Sequence, residues 1–446
     1  MVTERINTLL FNKVSIAPLI IFRIAFGLLM LLSTIRFISM GWVSKMYILP
    51  KVFFPFFGWE WVKPLPGIGM YLVFALLAIF SAFILVGFLY RFSTIAFFLL
   101  FSYVELIDKT NYLNHYYFIS LVALIMIFLP AGKAFSFDNK LFKRSEVTSI
   151  SRFYILLPQL QMFIVYFFAG VAKINSDWLL HAQPLKLWLP AFGHLPIIGS
   201  WMEKEWLAFV FCWFGCIYDL LIGFFLFNRK TVNIAYVFVI IFHAATSFFF
   251  NIGMFPYIMM TITIIFFKES FHLTILNKLK ALVRYLNSSS ENASLLPSGK
   301  MIYLFLLFFF IQIALPFRYA FYDGDLFWTE QGYRFSWRVM LMEKAGTAFF
   351  FIEDSASGRT IEVDNKEYLT YMQEKMISTQ PDMMVDYARF LRNEFEKKGM
   401  RNIKVKAQSY VTLNGSGSRE FVDPKIDLSR QNNNIFSNKT WVRSYE

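Results

Sequence analysis

Nine runs of apolar residues, most of them near 20 residues long, constrain this chain more than any other feature. They cover about Ile16–Ser39, Ile68–Leu89, Ser93–Ile107, Tyr112–Leu129, Phe153–Ala172, Trp206–Phe227, Val232–Phe249, Ile252–Phe267 and Met301–Phe317. A helix rises ~1.5 Å per residue, so a hydrocarbon core of ~30 Å takes ~20 residues to cross. The third and eighth runs are short for a full crossing, and the seventh and eighth meet tightly at Asn251-Ile252-Gly253. The expected fold is therefore a polytopic α-helical membrane protein with eight or nine transmembrane helices. Only 16% of the 446 residues are charged, against ~25% in soluble domains. The first run is too long for the apolar region of a cleavable signal and reads as the first span.

The net charge of +13 does not point to nucleic acid. In the apolar region Lys and Arg sit mostly in loops, which is a topology signal, and the polar part has no basic stripe with stacking aromatics. With the N-terminus in the cytoplasm, inner loops hold thirteen Lys and Arg, and outer loops seven. This asymmetry predicts a cytoplasmic N-terminus and, after nine spans, an extracytoplasmic C-terminal region. The domains expected are a transmembrane helical domain over 1–318 and a small soluble α+β domain over 319–446. In the latter, Val339–Met342, Ala348–Ile352 and Thr360–Val363 read as strands. Asp382–Lys398 reads as a helix with apolar Met384, Val385, Ala388, Leu391 and Phe395. Ile403–Thr412 alternates as a strand, with Asn414-Gly415 as a turn. At ~130 residues the domain is large enough for its own core. Ser288–Ser298 and Gln431–Asn438 read as loops.

Ionisable groups near hydrocarbon are costly and mark candidate functional sites. The densest group is Asp108-Lys109-Thr110-Asn111-Tyr112-Leu113-Asn114-His115-Tyr116-Tyr117, between the third and fourth runs and on the predicted outer side. A lysine at a helix end commonly snorkels to the interface. Here the loop is short, and desolvation is expected to lower the Lys109 pKa so that a neutral amine serves as a general base. His115, six residues on, fits either a packed residue or the same site. Asp219 and His243 lie inside the sixth and seventh runs, where pairing across helices is the expected role. Lys173, Asn175 and Asp177 follow the fifth run on the outer side, and Arg23 inside the first run is expected to tie its helix to a neighbour. Cys212 and Cys216 share a helix face and read as small buried hydrophobes. The five histidines show no ligand spacing, so no metal is expected.

The chain resembles the vitamin K-dependent γ-glutamyl carboxylase family, whose membrane part is also called the HTTM domain. The pattern D-K-T-x-x-x-N-H-x-Y stands as Asp108, Lys109, Thr110, Asn114, His115 and Tyr117. Gln161–Lys173 is similar to the family's Q-x-F-I-V-Y-F-x-A-G-V-x-K and is followed by Asp177-Trp178. Phe242-His243 and Ile252-Gly253-Met254-Phe255-Pro256-Tyr257, preceded by Asn251, resemble its F-H and I-G-M-F-x-Y segments. Leu315-Pro316, Gly332-Tyr333, Ser336-Trp337 and Phe421–Asp427 are further landmarks, so the likeness covers roughly residues 16–445.

The resemblance implies an enzyme of the carbon-carbon lyase type. Its cosubstrates are vitamin K hydroquinone or menaquinol, O2 and CO2. The reduced naphthoquinone is oxidised to its epoxide through an alkoxide base, which removes a γ-proton from a peptidyl glutamate. The resulting carbanion adds CO2. The family's hydroquinone-deprotonating lysine falls on Lys109. Asp108, Thr110, Asn114, His115, Tyr117, Lys173, His243 and Asn251 are the candidates for the substrate and quinone site. The expected partners are the lipid bilayer, the lipid-tailed quinol and a Glu-containing peptide or secreted protein, with no nucleic acid. A short, bacterial-type member is expected, because the animal members' extra C-terminal region and outer-side disulfide have no counterpart. Two alternatives remain. One is a quinol epoxidase that does not carboxylate glutamate, and the other is a lipid-binding or transport protein. Transport predicts internal repeats, and none is visible.

Overall fold

All nine apolar runs are helical in the computed structural model, which describes residues 10–250, 252–285, 290–355 and 357–445. The membrane part consists of α1 (Ala17–Ser39), α2 (Gly69–Val86), α3 (Tyr90–Ile107), α4 (Asn114–Phe128), α5 (Phe153–Ala172), α6 (Glu205–Phe227), α7 (Val232–Phe249), α8 (Phe255–Ile262), α9 (Glu269–Leu282) and α10 (Gly299–Ala314). Among the described residues, seven helices are long and apolar enough to cross a bilayer: α1, α2, α3, α5, α6, α7, and α10 with its continuation to Phe321. The run α8, prolonged to Phe266, bends by 110° into α9, and the two together make an eighth candidate. α4 is apolar but only 15 residues long. The third run is not short: its helix starts at Tyr90, after a turn in which Gly87 takes φ +70°, a conformation that suits a residue without Cβ. Arg23 ties α1 to the segment after α4, as expected, donating to the carbonyls of Ala131 at 2.8 Å and Phe135 at 2.5 Å.

The segments between helices gather at two ends. At one end β1 (Lys13–Ser15) pairs antiparallel with β2 (Glu146–Ser151), which pairs parallel with β3 (Ser290–Leu295). These strands come from the N-terminal segment, the loop after the fourth run and the loop before the ninth, all predicted to share one side. The reading of Ser288–Ser298 as loop is corrected, because strand pairing with β2 takes up Ser290–Leu295. Ser288 and Ser289 lie outside the described residues.

At the other end sits the C-terminal domain. Its sheet has the order β5-β4-β6-β7, built from β4 (Lys344–Asp354), β5 (Thr360–Glu362), β6 (Ile403–Leu413) and β7 (Arg419–Glu420). Helices α11 (Tyr371–Ile377) and α12 (Pro381–Lys397) accompany it. The apolar stripe of α12 is buried as its spacing predicts, facing Phe350 and the inward alternation Ile403, Val405 and Ala407 of β6. Val339–Met342 is not a strand. Trp337 and Met340 take φ of +60° and +56°, which interrupts an extended backbone, and contacts to the membrane helices outweigh β propensity there. The domain does not close a core of its own. One apolar cluster runs from Cys212 and Cys216 on α6 through Trp178, Leu185 and Leu189 to Phe350 and Leu391. Both cysteines are free and buried. Polar contacts complete the docking: Lys51 Nζ donates to the Glu367 carbonyl at 2.7 Å, and Asn414 Nδ2 to Asp177 Oδ2 at 2.6 Å.

Candidate active site

The turn between α3 and α4 is fixed at both backbone and side-chain level. The helix ends at Ile107, and Asp108 adopts an extended conformation whose Oδ1 accepts from the Thr110 N–H at 2.9 Å, capping a short 3-10 turn over Lys109–Asn111. The Lys109 N–H donates to the Phe54 carbonyl at 2.7 Å. Asp108 Oδ2 accepts from Gln373 Nε2 of α11 at 3.1 Å, so the turn is also held by the C-terminal domain. Burial pushes the Asp108 carboxyl up to about 6, although Thr110 and Gln373 stabilise its charge.

With the turn held, the Lys109 side chain reaches α12. Its Nζ donates to Asp382 Oδ2 at 2.9 Å and to Asp386 Oδ2 at 2.7 Å. This corrects the expectation of a depressed lysine. Burial does lower its pKa, but the Asp382 and Asp386 carboxylates outweigh that and hold the ammonium above its ordinary value. Asp382 also accepts from Arg334 Nη1 at 2.8 Å. Burial raises the Asp382 carboxyl, yet Arg334, Lys109 and Lys439 prevail and keep it well below the usual range. A position in the first turn of α12 favours the same charge.

The rest of the motif grips the segment that joins α10 to the sheet. Asn114 accepts from the Tyr112 hydroxyl at 3.0 Å and donates to the Arg338 carbonyl at 2.7 Å. The Tyr117 hydroxyl donates to Gln312 Oε1 at 3.0 Å, and its ring stacks on the buried Trp337 with centroids 5.0 Å apart. Two residues on, Val339 and Met340 form part of the wall of a cavity of about 280 Å³ between α5, α6, α7 and α8. Its lining is mainly aromatic and aliphatic, with Lys173, Asp219, Tyr166, His243 and Thr246 as the polar exceptions. Apolar walls with a few placed polar groups suit an organic ligand.

In that cavity Lys173 Nζ donates to Asp219 Oδ2 at 2.6 Å, and both side chains are over nine-tenths buried. His243 Nε2 lies 3.1 Å from the Tyr166 hydroxyl, and His243 Nδ1 is buried with no hydrogen-bond partner among the described residues. The expected pairing of Asp219 with His243 is thus replaced by two separate pairs, because Lys173 at the end of α5 supplies the cation Asp219 needs.

Residues 11–271 match the family model described as HTTM domain, and residues 298–446 match that of the vitamin K-dependent gamma-carboxylase lumenal domain. The chain belongs to the vitamin K-dependent γ-carboxylase family. No solved structure matches it. This carboxylase-family chain is an integral, multi-pass membrane protein with a C-terminal lumenal domain.

The sequence candidates of this γ-carboxylase relative divide into two groups. Asp108, Lys109, Asn114 and Tyr117 meet the lumenal domain or the segment leading into it, Thr110 bonds only back to Asp108 among the described residues, and Lys173 and His243 line the cavity. His115 touches neither Lys109 nor its acids in any hydrogen bond. Its ring faces Tyr116 and Phe255, and Phe255 in turn meets the ring of His243, with both Phe255 contacts at 5.8 Å between centroids. Phe255 therefore connects His115 with His243 of the cavity. Asn251 lies outside the described residues. Among the described residues no cluster of His, Cys, Asp or Glu has a metal-binding arrangement. Sequence reasoning missed Asp382, Asp386, Arg334 and Gln373. The spacing of Asp382 and Asp386, one turn apart on a predicted helix, was the available signal.

Proposed function

We propose that the protein is an integral-membrane γ-glutamyl carboxylase. It couples oxidation of a reduced naphthoquinone by O2 to addition of CO2 to a peptidyl glutamate. One oxygen atom enters the quinone epoxide and the other leaves as water, while a carboxylate replaces the γ-hydrogen of glutamate. Lys109 is the residue that takes the quinol proton. Asp108, Thr110, Asn114, His115 and Tyr117 position that turn, and the cavity bearing Lys173 and His243 receives part of the lipid-tailed quinol. The N-terminus and the β1-β2-β3 end face the cytoplasm, and the lumenal domain lies outside it.

The observation that carries this reading is the place of Lys109. It is buried where the membrane helices meet the lumenal domain, within reach of a cosubstrate arriving from lipid and a peptide arriving from water. The cavity supports it, since the Tyr117–Trp337 contact and the Asn114–Arg338 bond hold the segment that forms part of its wall.

The test is incubation of the purified protein with reduced vitamin K, labelled bicarbonate and a Glu-containing peptide. The expected result is label in the peptide that disappears in Lys109→Ala. Epoxide without label would select the non-carboxylating epoxidase. Neither product, from protein shown to be folded, would overturn both enzyme readings and leave lipid binding or transport.

A further inference from the structure

We propose that Asp382 and Asp386 are positioning residues for Lys109: they hold its amine, with the proton on it, against the lumenal domain, and only after α12 has let go does the amine give that proton to water and become free to take one from the quinol. This rests on the reading of Lys109 as the base and deepens it. A base must present a lone pair, and an ammonium bonded to two carboxylates has none to present.

The two acids are not equivalent. Asp382 is shared, because Arg334 Nη1 bonds the same Oδ2 at 2.8 Å that accepts from Lys109. Asp386 has Lys109 as its one ionic partner among the described residues, and its other oxygen accepts from Asn433 Nδ2 at 2.8 Å. The Asp386 charge therefore serves Lys109 alone, and Asp382 also fastens α12 to the segment before the sheet. The turn that carries Lys109 is fixed to Phe54 and Gln373, so separation has to come from the lysine side chain or from α12.

Other charged groups face Lys109 as well. On its own turn stands Asp108, engaged with Thr110 and Gln373. From the segment after α10 comes Arg334, and from the C-terminal stretch Lys439; both repel the ammonium. Lys439 gives an internal contrast. It lies in the same group of charges, no carboxylate bonds its Nζ among the described residues, and burial takes its pKa down to about 8. Lys109 differs in having two bonded acids. Contact with those acids, rather than the general field of the interface, keeps the proton in place.

A consequence follows for the division of labour between domains. The proton state of a residue on the membrane helices' outer turn is set by a helix of the lumenal domain. Whatever displaces α12 changes the chemistry available at Lys109.

The experiment is the pH dependence of quinol epoxidation by the purified full chain, in wild type, Asp386→Asn and Asp386→Glu. In wild type the rate should rise with pH as Lys109 loses its proton. Asp386→Asn should move that rise to lower pH by about one to three units and speed the reaction at neutral pH, and Asp386→Glu should move it back toward wild type. If Asp386→Asn fails to fold, Asp382→Asn reads the same shift. A rate that falls in the Asn variant while the pH profile stays with wild type would show the acids to be ties between domains and would overturn the proposal. An absence of epoxide in wild type would instead overturn the parent reading, and the proposal with it.

Discussion

Two buried lysines of this chain end on carboxylates, and they are held in different ways. Lys173 and Asp219 belong to neighbouring membrane helices that touch closely: a Cβ on Gly170 of α5 would lie 2.6 Å from the Leu220 nitrogen of α6. Their pair, at 2.6 Å, is over nine-tenths buried and cannot part unless the two helices part. Lys109 lies on a turn, its two acids come from another domain, and those acids keep 16% and 22% of their side-chain surface. The first pair is an internal tie of the membrane helices. The second is a contact between a turn of the membrane part and a helix of the other domain. The comparison teaches that two lysines buried alike beside hydrocarbon can be held differently: the partners of Lys109 come from another domain and keep part of their surface in solvent.

Stability measurements test that contrast most forcefully. Asp219→Ala strands a buried ammonium and should cost about 3–5 kcal/mol, read as a fall in thermal or denaturant midpoint in detergent. Asp386→Ala should cost far less, on the order of 1 kcal/mol, since Asp382 still holds Lys109. Equal losses would erase the distinction between the two pairs.

Next in size is a pH effect at the interdomain turn. The Asp108 carboxyl is raised from 3.8 to about 6 in the folded chain. A raised acid favours the folded state most at pH below the unfolded value, and that contribution is lost as pH rises through the folded one. Stability should therefore fall between about pH 4 and 6 by on the order of 2–3 kcal/mol through this group, and Asp108→Asn should flatten that slope. An unchanged slope would mean that Asp108 is solvated.

Gly170→Ala should force α5 and α6 apart at about 1–3 kcal/mol, lowering the melting temperature without moving the pH profile of epoxidation. Smallest is Tyr117→Phe, which removes one hydrogen bond to Gln312 and should cost about 1 kcal/mol, since stacking on Trp337 survives.

The membrane architecture was legible because hydrocarbon thickness fixes run length, and the apolar runs obey it. Lys109 stood out as a candidate because charge beside hydrocarbon is rare, and the resemblance implies a role for it. Its electrostatics were not legible. Desolvation can be argued from local sequence, but Asp382 and Asp386 stand more than 270 residues away, and no local pattern brings them to the turn. The same holds for Asp219, whose partner proved to be Lys173 rather than His243. The segment Val339–Met342 is a short apolar run that reads as a strand, yet its place between the membrane helices and the lumenal domain decided its shape. The lumenal domain's shared core was likewise invisible, since the residues that complete it lie on α6 and in the loop before it.

The most direct measurement is the rate of quinone epoxide formation by Lys109→Ala, with folding confirmed by gel filtration and thermal melting. The account predicts a loss of about 10²–10⁴-fold relative to wild type, the range expected when a general base is removed. A Lys109→Ala protein that is folded and forms epoxide at the wild-type rate would contradict it.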